Sequence, residues 1–378
     1  MTDWSEAARK LADQVTADAP EWHDAVCATP RHLLVPRWWE PVPDSYPFVW
    51  RVVTPAEDQP WLQAYADETL VTRVGPRHVD DAGQDDHPTG LPTSSSTLPG
   101  LIVRMLHLLD PQPGARVLDV GTGSGYSAAL LGHRLGDKLV TSIDIDAYLV
   151  EAAGERLAGF GRLPRIQVAD ATGVLPGSEY DRILATVSVR PIPRGWLEAL
   201  RPGGRIVTTI ANTSLLVAAD MGDDGIARGR VQPDPASFMR TRQQADYQPR
   251  LDDVYIAARD QPGDEIRKLG HPIPDLWTDW SLRCLYELDN PDIENRSATC
   301  EDGTEQLWLL AADGSWARVD EADGTVHQSG SRRLWDDLKR VQAKWEEAGR
   351  FPLHQMTVEF GPESNALASP GGGWRFNL

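Results

Sequence analysis

Cysteine is scarce. Cys27, Cys284 and Cys300 are the only three in 378 residues, and none has a C-x-x-C neighbour. That excludes a disulfide framework and a cysteine zinc site, and makes buried free thiols the expectation. Basic residues are outnumbered, with 37 Lys and Arg against 56 Asp and Glu and a net charge of −19. A field of that sign favours solubility and repels phosphate backbones, so no nucleic-acid partner is expected. It repels an acidic peptide as well, so local Arg or Lys groups would have to capture one. No stretch approaches the roughly 20 apolar residues that cross a bilayer. The opening Met1-Thr2-Asp3-Trp4-Ser5-Glu6 lacks the basic and apolar regions of a secretory leader, so a cytoplasmic protein without a membrane partner is expected. With 41% hydrophobic and 25% charged residues, collagen-like, coiled-coil and disordered chains are excluded. Tryptophan, by contrast, is plentiful at 14, and many lie in the last third, where they suggest a second hydrophobic cluster. The pattern fixes no oligomeric state.

Trp4, Ala7, Ala8, Leu11 and Val15 recur at helical spacing, which predicts a helix from Thr2 to Ala17 stopped by Pro20. Residues 21–36 read as a helical or turn unit, and 37–78 as irregular. The run Asp80 to His87 lacks the ligand order of a calcium loop, so it reads as a solvated mobile loop with no metal. From Leu98 the pattern alternates. Helices are predicted over 98–109, 124–135, 147–157 and 194–200, and strands over 116–120, 139–143, 165–168, 181–187 and 205–210. This spacing is that of a doubly wound α/β domain, a parallel sheet with helices on both faces. Gly222-Asp223-Asp224-Gly225 predicts a hairpin. After about Pro233 the alternation stops. Ala-Asp-Gly turns at 312–314 and 322–324 predict a three-stranded meander. Ser331 is expected to cap a helix carrying Leu334, Leu338, Val341 and Trp345, and 355–360 to close as a strand.

The informative segment is Val117-Leu118-Asp119-Val120-Gly121-Thr122-Gly123-Ser124-Gly125-Tyr126. A buried strand runs into alternating glycines and then a helix, so the backbone can approach a ligand and turn sharply. Dinucleotide sites use G-x-G-x-x-G. Here the spacing is G-x-G-x-G with Tyr126 in the last glycine's place, the spacing of S-adenosylmethionine sites. Asp144, 23 positions after Gly121, ends the second strand where an acidic residue bonds the ribose hydroxyls, with Ile145 behind it. Asp146 reads as a helix cap. Asp170 can accept the adenine amino group or cap its own loop, and Ala171 can follow the ring. Asp119 is expected to accept amides of the glycine loop.

These residues resemble the protein-L-isoaspartate O-methyltransferase family. The likeness rests on Pro30-Arg31-His32-Leu33-Leu34-Val35-Pro36, Tyr65-Ala66-Asp67, the Ser/Thr run before Pro99 and Leu118 to Ala129. Tyr180-Asp181-Arg182-Ile183 and Leu200 to Arg205 also fit. It spans about residues 5–212. The resemblance implies a Rossmann-like S-adenosylmethionine-dependent methyltransferase domain with a C-terminal α+β extension. The divisions are 1–97 for the helical and substrate-loop region, 98–232 for the core and 233–378 for the extension. It implies S-adenosylmethionine as donor and an Asp or isoAsp carboxylate of a peptide or protein as acceptor, the ester then closing to a succinimide. Cofactor contacts fall on Asp119, Gly121, Thr122, Gly123, Ser124, Gly125, Tyr126, Asp144, Ile145, Asp170 and Ala171. The hydroxyls of Ser94, Ser95, Ser96 and Thr97 would orient the acceptor, or form a linker. His32 would contact the substrate, or be a satisfied structural histidine.

The family's usual Thr-Ile-Ser-x-Pro is replaced here by the run ending in Thr97, residues 79–92 look inserted, and the tail is long. The layout resembles extended relatives in actinobacterial modified-peptide gene clusters, so tailoring of a ribosomally made peptide competes with repair. An Asp-type carboxylate has a pKa near 4 and needs no base to attack a sulfonium methyl. A donor-binding module without transfer and a small-molecule methyltransferase are the alternatives.

Overall fold

All four residues of the Val117–Val120 strand are buried, because a run of Val, Leu and Val has apolar partners on both faces. In the computed structural model, which describes residues 4–43, 45, 48–54, 62–177, 179–241, 251–269, 276, 279–300 and 303–378, this strand lies inside a ten-stranded sheet, third from one edge. Val140–Asp144 and Arg165–Val168 lie parallel on one side of it, and Tyr180–Val189 and Leu200–Ile210 parallel on the other. Chain order therefore reverses beside Val117–Val120. In open α/β sheets the crevice for a ligand lies at such a reversal, outside the carboxyl ends of the strands. Helices Tyr126–Leu135, Ala147–Gly159 and Arg194–Ala199 connect successive strands of this set, and Pro99–Leu109 leads into the first of them. Neighbouring residues face opposite cores. Leu118, Ile183 and Ile206 belong to one cluster, while Val117, Leu184 and Val207 belong to the other. The second cluster takes in the N-terminal helix Trp4–Val15 through Ala8, Leu11 and Ala12; the start expected at Thr2 lies outside the described residues. The predicted hairpin is present as Leu216–Met221 and Ala227–Val231.

Several expectations are corrected. The described residues of 37–78 are not irregular throughout. They contain Trp38–Pro41, Trp50–Val53, Leu70–Val74 and Arg77–His78, and these form an antiparallel five-stranded sheet with Pro92–Ser96. Strands of two to five residues broken by prolines are too short to show a period of two. In the 80–87 loop Asp81, Gly83, Gln84, Asp85 and His87 are exposed, as a solvated loop requires, while Asp80 pairs with Arg156 and accepts from the Tyr148 hydroxyl at 2.8 Å, and Asp86 pairs with Arg77. Ser331 does not cap. Its hydroxyl donates to Asp313 at 2.9 Å, the helix runs Leu334–Glu347, and the Gln328 side chain accepts from the Trp335 amide.

The meander is present as Glu305–Ala311, Trp316–Asp320 and Thr325–Ser329, widened by Glu265–Lys268 and Ile293–Thr299. The closing strand, Thr357–Phe360, pairs with Ala227–Val231 instead, and Asn365–Ala368 and Arg375–Asn377 continue the central sheet beyond it. Trp335, Trp345, Trp374 and Phe360 share one buried cluster with Leu118 and Ile183. The core thus runs without a break across residue 232.

Candidate functional site

A cavity of about 460 Å³ opens at the reversal point. Its floor is Val120, Gly121 and Gly123, with Ile143, Asp144 and Ile145 from the next strand end, Ala169 and Ala171 from the third, and Thr186 and Val187 from the fourth. Ser94, Ser95 and Thr97 face it from the N-terminal sheet, and residues 237–241 close another side.

The glycine loop brings these walls together. Gly123 is left-handed at φ +49°, and a Cβ on it would stand 3.3 Å from the Ser95 carbonyl oxygen. The Gly123 amide donates to one Asp144 carboxylate oxygen at 3.1 Å, and the Asp146 amide donates to the other at 3.1 Å. Each carboxylate oxygen can accept a second bond, as from a ribose hydroxyl. Asp146 itself caps the Ala147–Gly159 helix, accepting from the amides of Tyr148 and Leu149, and pairs with Arg73.

Other expected contacts lie elsewhere. Asp119 is fully buried and takes no loop amide. It accepts from the hydroxyls of Ser142 at 2.7 Å and Ser127 at 3.0 Å, and burial pushes its pKa up to about 7. The Thr122 hydroxyl joins the same chain through Ser142 at 2.7 Å, so these groups brace the loop from beneath. Ser124 is buried outside the cavity lining. Gly125 packs the helix rather than a ligand: a Cβ there would meet Leu157 at 3.1 Å and Ala153 at 3.3 Å. Tyr126 also turns inward, with the Arg31 guanidinium 5.7 Å above its ring. Asp170 caps its own loop, accepting from the Thr172 amide and hydroxyl, and stands outside the cavity. For Asp119 and Tyr126 the cause is direction: a side chain within the strand or at the start of the helix points away from the crevice.

On the opposite wall, Ser94 and Ser95 of the Pro92–Ser96 strand both line the cavity, at a place where its pairing with Leu70–Val74 shifts register, while the Ser96 hydroxyl is buried outside it. The Thr72 hydroxyl donates to Ser94 Oγ at 3.1 Å, leaving the Ser94 proton to point at another acceptor. His32 does not reach the cavity. It bonds the Tyr65 hydroxyl at 2.9 Å beside Trp4, and burial lowers its pKa.

Sequence reasoning missed three contributors. Arg31 is completely buried and donates to the carbonyls of Ala64, Ala66, Glu68, Ser96 and Thr97, fixing the end of the serine strand. An arginine inside Pro-Arg-His-Leu-Leu-Val was its available signal. Thr186 and Val187 sit at a strand end, as the reversal rule would have found. Residues 237–241 carry no motif and lie beyond the expected core boundary. Among the described residues no three His, Cys, Asp or Glu side chains come together as a metal site, and no helix is long and apolar enough to cross a membrane.

A family model described as protein-L-isoaspartate(D-aspartate) O-methyltransferase matches residues 81–231. The chain is 33% identical over 162 residues to the protein-L-isoaspartate O-methyltransferase of Methanopyrus kandleri, a match covering 41% of this chain and 72% of that protein. It is 27% identical over 232 residues to protein-L-isoaspartate O-methyltransferase 1 of Archaeoglobus fulgidus, covering 60% and 89% respectively. A solved structure of a protein-L-isoaspartate O-methyltransferase has the same fold, with a TM-score of 0.51 at 17% identity over 95% of this chain and 98% of that one.

Proposed function

Because the chain belongs to the protein-L-isoaspartate O-methyltransferase family, we propose that its cavity binds S-adenosylmethionine and transfers the donor methyl to an Asp or isoAsp carboxylate of a peptide or protein. The observation that carries this reading is the approach of the Ser95 carbonyl to Gly123, close enough that a Cβ there would stand 3.3 Å from it, which sets a nucleotide-type glycine loop and a hydroxyl-bearing strand against one cavity. The donor fits the residues present: a side chain on Gly123 would fill the cradle, and Asp144 is already oriented by two amides.

When bound, the donor supplies an electrophilic methyl on a sulfonium. The chain's own work is alignment and exclusion of water. Gly121, Gly123, Asp144 and Ile145 hold the donor side, and Ala169 and Ala171 give an apolar wall for a ring. Ser94, Ser95 and Thr97 donate hydrogen bonds to the acceptor carboxylate and fix its orientation. That carboxylate is ionised at neutral pH and attacks without a general base. One oxygen–carbon bond forms as one sulfur–carbon bond breaks, and no proton moves.

The ester then closes to a succinimide by attack of a neighbouring backbone nitrogen, with loss of methanol. Dedicated tailoring of one ribosomally made peptide, in the cytoplasm, is the finer reading. Its support is that residues beyond the core boundary, 237–241, line the cavity. The test is incubation with donor and matched Asp and isoAsp peptides, read by mass spectrometry. The proposal expects a product one methylene heavier, followed by one that has lost methanol from it. A chain that binds donor and modifies neither peptide would be a binding module. One that methylates only small carboxylic acids would be a small-molecule enzyme.

A further inference from the structure

Leu70 and Val71 pair antiparallel with Ser96 and Ser95, so one step further along the same register sets Thr69 opposite Thr97. Residues directly opposite in an antiparallel pair point to the same face, with Cβ atoms roughly 4.5–5.5 Å apart. Ser95, two residues before Thr97, shares that face. It is the face of the cavity, which Thr69, Ser95 and Thr97 all line. Thr69 stands at the exposed rim and adds a hydroxyl from outside the Ser94–Thr97 run.

One buried group holds both threonines. Arg31 Nη2 donates to the Glu68 carbonyl at 2.8 Å and to the Ser96 and Thr97 carbonyls at 3.2 and 3.3 Å, which ties the chain just before Thr69 to the chain at Thr97. The Thr69 hydroxyl is oriented as well. Its oxygen accepts from the Leu98 amide at 3.1 Å, and among the described residues nothing takes its proton. A hydroxyl has one proton and two acceptor lone pairs, so with a lone pair committed the group is set to donate. The Thr97 hydroxyl has no partner among the described residues. A carboxylate presents two oxygens, each with two lone pairs. Two hydroxyl donors side by side match it, one to each oxygen, and each oxygen keeps a lone pair for the sulfonium methyl. A carboxamide offers the same pair of donors only one oxygen.

Resting on the reading proposed above, we infer that Thr69 binds the acceptor: with Thr97 it forms a two-pronged clamp that gives one hydroxyl hydrogen bond to each oxygen of the peptide carboxylate. In the full chain, T69V keeps the shape and removes the hydroxyl. It should raise the acceptor KM about tenfold, the factor of one hydrogen bond to a charged group. Calorimetric donor affinity should stay unchanged, and so should Tm, because the lost Leu98 bond is exposed and water replaces it. T69S keeps the proton and loses the methyl, so it should recover most of the KM defect, a rescue that a packing role would not show. T69V combined with T97V should cost less than the product of the two single losses, because both hydroxyls act on one carboxylate. A T69V acceptor KM within about twofold of the natural chain overturns the assignment. Equal defects in T69V and T69S overturn it too, as does a fall in donor affinity, which would place the hydroxyl on the donor. Strictly multiplicative losses in the double variant would put the two hydroxyls on different groups and overturn the clamp. If the natural chain transfers no methyl, the functional reading fails by itself. Thr69 is then judged by binding of the isoAsp and Asp peptides to the protein loaded with S-adenosylhomocysteine. There, undiminished binding by T69V, or no binding by the natural chain, overturns it.

Discussion

The Ser95 carbonyl oxygen stands 3.3 Å from the point a Cβ on Gly123 would occupy, so the acceptor-side strand rests on the donor loop through the missing side chain. Gly123→Ala places a methyl in that contact and a non-glycine residue at φ +49°. A destabilisation of about 1–2 kcal/mol is expected from the backbone alone. Methyl transfer should fall further than donor affinity, since the methyl pushes the serine strand, and steady-state kinetics beside calorimetry reads the difference.

Asp144 accepts two amides and faces the cavity. Asp144→Asn keeps the shape and removes the charge. A donor hydroxyl bonded to the charged group is worth about 1.5–3 kcal/mol, so donor Kd should rise about tenfold or more. Unchanged affinity would take Asp144 out of the donor site.

Asp119 titrates with an unusual sign for a carboxyl. Burial raises its pKa from 3.8 to about 7, outweighing the two hydroxyls that favour the anion. The folded chain therefore holds this proton more tightly than the unfolded chain. The resulting stabilisation is complete below the unfolded pKa and is lost as pH rises through about 7. Asp119→Asn has no such proton to lose. Its Tm relative to the natural chain should therefore rise between pH 5 and pH 8, two values spanning about the midpoint named above. A constant difference over that window would contradict the assignment.

Arg31 is a buried cation whose partners are backbone carbonyls from two segments. Burial lowers its pKa to about 10, so it stays charged at neutral pH. Arg31→Ala strands those carbonyls and should cost about 3 kcal/mol or more. Arg31→Lys should recover little, because one ammonium cannot span the fork's reach. Denaturant unfolding of both variants reads the two losses.

A chain ending near Asp234 would lose Thr357–Phe360 and bare the edge of Ala227–Val231. It would also strip buried Phe360, Leu367, Trp374 and Phe376 from the core, and remove residues 237–241 from the cavity. An open apolar edge of that kind aggregates. The shortened chain should be insoluble. A soluble one that binds donor would show that the extension is an independent unit.

What could be read from sequence tracks local pattern. Val117–Val120 and its glycines announced the strand, the turn and the cavity floor, because a buried strand and a loop needing positive φ leave compositional marks. The 38–78 strands left none, being short and paired to partners far along the chain, as Val71 is with both Trp39 and Ser95. Asp119 and Tyr126 were near the site in sequence and turned from it by side-chain direction, which spacing does not encode. The 237–241 wall was invisible for another reason. Its place depends on a tertiary hydrogen bond to Ser188, 50 residues away.

The most direct measurement is transfer of a labelled methyl group from S-adenosylmethionine to an Asp- or isoAsp-containing peptide by the full chain. The account expects label on the peptide as a base-labile carboxyl ester, with one S-adenosylhomocysteine formed for each ester, and loss of that transfer when Ser94, Ser95 and Thr97 are all changed to Ala while donor binding persists. Donor binding without any peptide-borne label, or full transfer by the triple variant, would contradict it.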